Sequence, residues 1–147
     1  MEVITGMQLG DSYISKPSST GQSNLQFLQA SQEFVIFLYY LFSPLGIVGA
    51  TPYTKSYSDK RTGKIYTSYG FKTVILPVFA TIYLEWYTII NGGSIKHLPV
   101  NIFDLLTPVA IAFWISCDGS YSRRDGVITL STDSYTLVEV QLLQTIL

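Results

Sequence analysis

The sequence has little cysteine and little histidine. Cys117 is the single cysteine and His97 the single histidine in 147 residues. A disulfide needs two cysteines, and zinc sites are built from several cysteine or histidine ligands. The composition therefore excludes an internal disulfide framework and a cysteine-based zinc site, and it argues against a histidine metal cluster. Cys117 is expected to be a packing residue and His97 a surface residue.

Charge is also scarce. Lysine, arginine, aspartate and glutamate together make up 13% of the chain, and the net charge is −1. This is about half the usual charged share. Domains that bind nucleic acids are usually basic overall, so the total charge is unfavourable for such a function. Only an uneven distribution of the charges would permit it.

Long apolar runs are missing as well. The longest uncharged stretch that is strongly apolar, "FVIFLYYLFSPLGIVGA" (residues 34–50), is interrupted by Ser43-Pro44 and Gly46. A membrane-spanning helix needs about 20 consecutive apolar residues. The pattern favours a buried helix over 34–42 followed by a turn, and it leaves a membrane role as a distant alternative. A secretory signal is not expected, because the N-terminus lacks a basic segment followed by an apolar one.

Apolar and aromatic residues are plentiful and make up 48% and 14% of the chain. The chain can therefore bury a core, either as one domain or as two small repeats. Apolar periodicity, turn residues and capping residues predict the order of its elements. In chain order they are a helix over 2–10, the end of a strand and a loop over 12–24, a strand over 24–31, a helix over 32–43 capped by Ser31, a hairpin over 51–73 with Gly63 in its turn, a helix over 74–90 with Pro77 near its start, a linker over 91–104, a helix ending at Asp118, a hairpin over 120–132 turning at Asp125-Gly126, and an amphipathic helix over 134–147.

This order suggests an internal repeat. When Asp11 is aligned with Asp118, "ITGMQLGDS" lies over "IAFWISCDG", and the predicted strands and helices that follow also coincide. Two such helices can pack about a pseudo-two-fold axis, and the small residues Gly6, Ala110 and Ala112 would allow a close approach. The duplication therefore predicts that the two terminal aspartates lie side by side.

Two neighbouring carboxylates repel each other unless a cation lies between them. Magnesium suits a pair of carboxylates completed by waters and phosphate oxygens, and it can polarise a phosphodiester. The alternative is that Asp11 and Asp118 each cap a turn and do nothing more. The repeat favours the metal site, although each aspartate alone would favour the simpler interpretation.

The basic residues are concentrated in the predicted hairpins. One hairpin combines most of them with a single acid, Asp59, and with tyrosines that could pack on sugars or bases, namely Tyr53, Tyr57, Tyr66 and Tyr69. The acids lie on or beside predicted helices: Glu2, Glu33, Glu85, Asp104 and Glu139. The near-neutral total charge therefore permits a positive face. The alternative is an ordinary solvated ribbon built from tyrosine and threonine strand formers.

Residues 4–12 and 111–119 together resemble the paired motifs of the LAGLIDADG homing endonucleases, specifically the two-motif, single-chain kind of organellar introns. Other segments resemble the family as well, and the resemblance covers essentially the whole chain. These segments are "SDKRTGKIYTSYGFKTVILPVFATIYLEWY", the bridge "GGSIKHLPVNIFDLLTP", the second-motif run "LLTPVAIAFWISCDGSY" and the following "GVITLSTDSYTLVEVQLL".

The resemblance implies an α+β fold. It consists of one complete αββαββα unit over 1–98 and a linker with a partial second copy over 99–147. Helices pack on an antiparallel β saddle that lies in the DNA major groove. The resemblance also implies a site in which Asp11 and Asp118 are catalytic residues that bind Mg²⁺. Lys72 is implied to be a third catalytic residue, whose positive charge near the aspartates would stabilise charge or orient a water. The residues implied to contact nucleic acid are Lys16, Lys55, Lys60, Arg61, Lys64, Tyr66, Lys72, Arg123 and Arg124.

Two functions remain open at this point. The first is a magnesium-dependent, site-specific double-strand DNA endonuclease. The second is a catalytically inactive derivative that binds structured RNA, as an intron maturase or as a component of an organellar ribosome. A decaying intron reading frame without function is a third alternative. In each case the resemblance implies an organellar, mitochondrial location.

The second repeat is expected to be truncated, because the sequence ends in its second helix. The apolar face of that helix should then be exposed and should seek a partner. A second polypeptide or a large ribonucleoprotein would supply the missing part, whereas no membrane partner is expected. The residues expected on this face are Leu137, Val140, Leu143 and Leu147.

Overall fold

The computed structural model describes residues 1–147. It is an α+β fold in which six α-helices pack with three antiparallel sheets. In chain order the elements are α1 (Glu2–Leu9), β1 (Ser12–Ile14), β2 (Leu25–Gln29), α2 (Gln32–Phe42), a 3₁₀ turn (Ser43–Leu45), β3 (Tyr53–Ser58), β4 (Ile65–Lys72), α3 (Pro77–Trp86), β5 (Tyr87–Ile90), β6 (Gly93–Lys96), α4 (Ile102–Leu105), α5 (Pro108–Asp118), β7 (Gly119–Ser122), β8 (Val127–Leu130) and α6 (Leu137–Ile146).

The first half follows the predicted αββαββα order through α3. Its four strands form one antiparallel sheet in the order β1-β2-β4-β3, so that β3 is an edge strand. The capping signals are confirmed: the Ser31 side chain accepts a hydrogen bond from the backbone N–H of Phe34, and Pro77 is the first residue of α3. Gly63 turns the β3–β4 hairpin with φ +68°, a conformation that glycine adopts without strain.

The predictions of a helix over 74–90 and of a linker over 91–104 are wrong in part. The helix ends at Trp86, and residues 87–96 form a hairpin, β5–β6. Its turn is Asn91-Gly92, with φ values of +51° and +81°. An Asn-Gly pair between two short runs is the strongest local signal for a tight hairpin. The apolar character of residues 87–90 concealed that signal, because it extends the helical pattern.

The second half repeats the first only in part, as predicted. Helix α5 corresponds to α1, the β7–β8 hairpin to β1–β2, and α6 to α2. β7 and β8 form a sheet of their own. Both halves contribute to one hydrophobic cluster, which includes Met7, Phe27 and Phe71 from the first half and Trp114 and Leu143 from the second. The boundary at residue 98 stays a prediction.

The predicted exposure of the α6 face needs correction. Leu143 is only 2% exposed, and Val140 packs against the core. These two side chains face inward because α6 lies against the rest of the protein. Leu137 and Leu147 are exposed, as predicted, together with Val138 and Leu142. No helix combines the length and the apolar character needed to cross a membrane.

Candidate functional site

The site is built on the close packing of α1 against α5. A side-chain carbon added at Gly6 would lie 2.3 Å from the carbonyl oxygen of Ala110, and one added at Gly10 would lie 2.5 Å from Cβ of Cys117. Only glycine permits the backbones to approach this closely. Gly6 and Ala110 are therefore seam residues as predicted, whereas Ala112 is exposed and lies outside the seam.

The seam brings Asp11 and Asp118 together at the ends of the two helices. Partial burial and then the charge of Asp118 raise the pKa of Asp11 from 3.8 to about 6. The pKa of Asp118 is also raised, first by burial and also by the charge of Asp133. Asp118 acts on the pKa of Asp11, and Gly10 lies against Cys117 and Asp118, so the two helix ends meet as the repeat predicts.

A half-buried lysine lies next to this pair. Lys96, on β6, donates hydrogen bonds through Nζ to the carbonyl oxygens of Gln8 (2.8 Å), Ser12 (2.8 Å) and Gly10 (3.4 Å). Burial lowers the pKa of Lys96 from 10.5 to about 8, while the charges of Asp11 and Asp118 oppose that shift. An ammonium group has three protons, so these three carbonyls use all of its donors. Lys96 is therefore held as a fixed positive charge that offsets the repulsion between the two aspartates.

Gln29, at the end of β2, completes the surroundings of Asp11. Its Nε2 donates hydrogen bonds to the carbonyl oxygens of Cys117 (2.8 Å) and Ser116 (3.2 Å), and its side chain also favours the ionised form of Asp11. Its Oε1 is buried without a hydrogen-bond partner. Buried polar atoms are normally paired, so an unpaired oxygen beside a carboxylate pair is a candidate ligand for a cation or its water.

The two halves of the site are not equivalent. The pairing of Ser12 with Phe27 in the first half matches that of Gly119 with Leu130 in the second. By this register Thr132 takes the place of Gln29. In the second repeat, a hydrogen bond from Ser131 favours the ionised form of Asp118, and the charge of Asp133 opposes it. Lys96 acts on both aspartates, but Asp11 also has the amide of Gln29 nearby, whereas Asp118 has the hydroxyl of Ser131 and a further acid, Asp133.

Lys72 occupies a different place from Lys96. It is exposed at the end of β4, where it pairs with Gln26. The positive charge that acts on both aspartates is that of Lys96. The sequence pattern does not predict Lys96 as a site residue, because it assigns residue 96 to a linker. The Asn91-Gly92 turn is the local signal that places Lys96 on a strand, where it pairs with Tyr87.

One face of the four-stranded sheet points away from the core and carries several residues expected to contact nucleic acid. Phe27 and Phe71 pair on the buried face, so their neighbours in each strand point the other way. By this alternation the outward face carries Lys55, Tyr66 and Lys72, together with Tyr53 and Tyr57. The rings of Tyr57 and Tyr66 stack at 5.5 Å between centroids. Tyr69 pairs with Thr54 on the opposite face and is half-buried, so it does not belong to this surface.

The other expected contacts lie in turns and loops. Lys60, Arg61 and Lys64 are exposed around the β3–β4 turn, and Lys16 is exposed after β1. Arg123 and Arg124 are exposed in the β7–β8 turn, where Arg124 forms an ion pair of 3.1 Å with Asp125. An exposed pair of this kind contributes little to stability. Strands and turns therefore carry the positive charge, as the sequence predicts.

Comparison with known proteins identifies the family. The model of the LAGLIDADG DNA endonuclease family matches residues 1–147. The cytochrome b mRNA maturase bI2 of Saccharomyces cerevisiae is 32% identical over 95% of this chain and 34% of its own length. The maturase of the same name from Debaryomyces hansenii is 30% identical over 100% of this chain and 55% of its own length. The chain thus spans about a third to a half of these relatives.

A solved structure has the same fold. The homing endonuclease I-WcaI, bound to its DNA recognition sequence, superposes with a TM-score of 0.81 over 99% of this chain and 64% of that one, at 20% identity. Three observations point to the same family. They are the paired helices that end in Asp11 and Asp118, the adjoining antiparallel sheet, and the match of the family model along all 147 residues. The chain belongs to the LAGLIDADG DNA endonuclease family and is homing-endonuclease-like in fold.

Proposed function

We propose that this protein is a site-specific double-strand DNA endonuclease that uses Mg²⁺ held by Asp11 and Asp118. The observation that carries the proposal is the meeting of these two carboxylates at the α1–α5 seam, next to a sheet whose outward face is basic.

The residues present fit a magnesium site. Nucleases of this family generally use divalent metal ions. Magnesium prefers oxygen ligands and is bound through one or two carboxylates, with waters and phosphate oxygens filling the other positions. Asp11 and Asp118 would supply the carboxylates, and the unpaired Oε1 of Gln29 offers a further oxygen. When bound, the metal would polarise a phosphodiester and activate a water.

The protein's own residues would then have distinct tasks. The aspartates hold the cation, and Lys96 limits their mutual repulsion without leaving its three carbonyl partners. Lys55, Lys72 and the cations of the β3–β4 turn would bind phosphates along the sheet face. A direct catalytic role for Lys72 stays a prediction, and Lys96 is proposed as the basic residue that acts on the aspartates.

The test is cleavage of a randomised pool of long DNA duplexes in Mg²⁺, with the new ends sequenced. We expect cleavage at a recurring sequence, and we expect Asp11→Asn and Asp118→Asn each to abolish it. Asp104→Asn is the matched control, because Asp104 is an exposed acid on α4, outside the site. Equal cleavage by wild type and both site variants would overturn the proposal.

A second function is favoured by the similarity to two proteins named as cytochrome b mRNA maturases. In this alternative the same surface binds structured RNA, alone or in an organellar ribonucleoprotein. RNA association would then be unchanged in Asp11→Asn and Asp118→Asn, which distinguishes it from cleavage. The same similarity supports an organellar, mitochondrial location for either function.

The exposed side chains of α6 support the proposal of a protein partner. Leu137 and Val138 are 73% and 74% exposed, and the β7–β8 hairpin has no further strand beside it. A second polypeptide or a ribonucleoprotein that packs on α6 and extends this sheet would cover both features.

A further inference from the structure

A cavity of about 230 Å³ lies between α2 and the beginning of β3, away from the carboxylate pair. It is smaller than the pockets of about 300–1,000 Å³ that enclose drug-sized ligands, so it would enclose only a smaller group. No lysine, arginine, aspartate or glutamate lines it. The lining includes Gln32, Ile36, Tyr39, Tyr40, Thr54 and Tyr69.

These residues offer both stacking and hydrogen bonding. Tyr39 and Tyr40 meet edge to face with 5.6 Å between ring centroids, and Tyr39 also packs edge-on against Phe71 at 6.3 Å. Tyr39 is therefore held in place by the core, while Tyr40 is 67% exposed at the rim. Tyrosine rings stack on unpaired bases, and amide and hydroxyl groups bind base edges. We propose that this cavity binds one unpaired base of single-stranded RNA.

The position of the cavity explains how RNA would reach it. β3 is the edge of the four-stranded sheet, so a chain bound on the outward face can pass around that edge. Lys55 follows Thr54 on the opposite face of β3 and would bind a phosphate beside the cavity. The proposed binding site is thus continuous with the basic face of the sheet.

RNA is favoured over duplex DNA because a paired base is stacked inside the helix, whereas loops of RNA present unstacked bases. The similarity to two proteins named as mRNA maturases points in the same direction. The base-binding proposal does not depend on DNA cleavage at Asp11 and Asp118. The cavity proposal can therefore fail while the endonuclease proposal holds, and the reverse is also true.

The test compares the binding of fluorescently labelled 12-nucleotide probes by anisotropy: single-stranded RNA, single-stranded DNA of the same sequence, and duplex DNA. Removal of the exposed ring in Tyr40→Ala is expected to weaken RNA binding about tenfold. Tyr40→Phe keeps the ring and should retain wild-type affinity within about twofold. The matched control is Phe103→Ala, since Phe103 is an aromatic residue 73% exposed on α4, outside the cavity. Thermal unfolding by circular dichroism verifies that each variant is folded.

A loss confined to Tyr40→Ala and to the RNA probe supports the proposal. Equal RNA affinities for wild type and Tyr40→Ala would overturn it, as would the same loss in Phe103→Ala. An equal loss with single-stranded DNA would overturn the assignment to RNA. A loss with duplex DNA as large as that with RNA would show that Tyr40 serves the duplex surface instead.

Discussion

At the scale of single residues, Lys96 is held by three backbone carbonyl oxygens and by two carboxylates nearby. Burial disfavours its charge, whereas three carbonyl oxygens and two carboxylates favour it. The result is a pKa lowered from the ordinary value of 10.5 to about 8. A lysine with this pKa remains mostly protonated at neutral pH and can act on the aspartates as a cation.

This environment predicts the titration of Lys96. In protein selectively labelled at lysine, the Lys96 resonance should titrate near pH 8, and Asp11→Asn should lower that midpoint further, because the carboxylate of Asp11 stabilises the ammonium. The measurement is a pH series by NMR, with Lys96→Arg to assign the resonance. A midpoint that rises in Asp11→Asn would contradict the charge arrangement described for the site.

The pair of aspartates predicts a pH-dependent stability. The pKa of Asp11 is raised to about 6 in the folded state, so between about pH 4 and 6 the folded protein binds more protons than the unfolded chain. The free energy of unfolding contributed by this group therefore falls as pH rises through that range. At pH 7 in EDTA, Asp11→Asn should have its unfolding midpoint at a higher urea concentration than wild type. Near pH 4 the two midpoints should be the same.

We expect a gain of about 1 kcal/mol at pH 7, which is less than the full pKa shift implies, because the carboxylate of Asp11 is partly exposed and solvent screens its charge. Asp104→Asn is the control, since Asp104 lies outside the seam. An Asn variant that is less stable than wild type at pH 7 would show that Asp11 stabilises the fold instead of being strained by its neighbour.

At the scale of elements, the α1–α5 seam decides the geometry of the site. Gly6 is helical, and alanine there would ordinarily stabilise a helix. Here the added carbon would meet Ala110 O at 2.3 Å and Trp114 N at 2.9 Å, and both are backbone atoms that cannot move independently. Gly6→Ala should therefore lower the free energy of unfolding by about 2 kcal/mol or more.

The control for this change is Gly93→Ala, because a side-chain carbon at Gly93 meets nothing closer than 3.6 Å. That variant should remain within about 0.5 kcal/mol of wild type or gain slightly. Urea denaturation measures both changes. If the two variants had equal stability, the seam would not be as tight as the structure shows.

The β5–β6 hairpin shows how an element can be misassigned from sequence. Residues 87–90 continue the apolar pattern of α3, and short apolar runs do not distinguish helix from strand. The chain nevertheless leaves the helix at Trp86, because Asn91-Gly92 reverses it and brings Lys96 opposite Tyr87. Tyr87 is then fixed through its hydroxyl, which donates to Oε1 of Gln8 and accepts from the backbone N–H of Ile14.

At the scale of the whole molecule, charge is segregated although the total is near zero. None of the nine lysine and arginine residues lies on a helix. The helices carry acids instead, which are Glu2, Glu33, Glu85, Asp104, Asp118 and Glu139. A polyanion would therefore be attracted to the strands and turns and repelled by the helical side.

This segregation predicts the salt dependence of duplex DNA binding. Each lost phosphate contact lowers the slope of log affinity against log salt concentration by about 0.9. Lys60→Gln and Arg61→Gln, in the exposed β3–β4 turn, should each reduce the slope by about this amount. Glu33→Gln, on the helical side, should leave the slope unchanged. An unchanged slope in both turn variants would exclude that turn from the interface.

Much of the site could be predicted from its local sequence. Helices that end in Asp11 and Asp118, the hairpin turns at Gly63 and Gly126, and the separation of basic strands from acidic helices all follow from short-range patterns. Gln29 and Lys96 could not be assigned to the site in this way, because their roles arise from contacts across 87 and 84 residues of sequence, to Ser116 and Ser12.

The sequence by itself therefore determined the repeat, the ends of its two motif helices and the sign of charge on each surface, since these depend on periodicity, capping and composition. Only the tertiary structure decided which lysine stands behind the carboxylates, which residues of α6 are buried and where the tyrosine-lined cavity opens. The physical reason is that burial, and with it every pKa shift in the site, depends on which distant segments pack together.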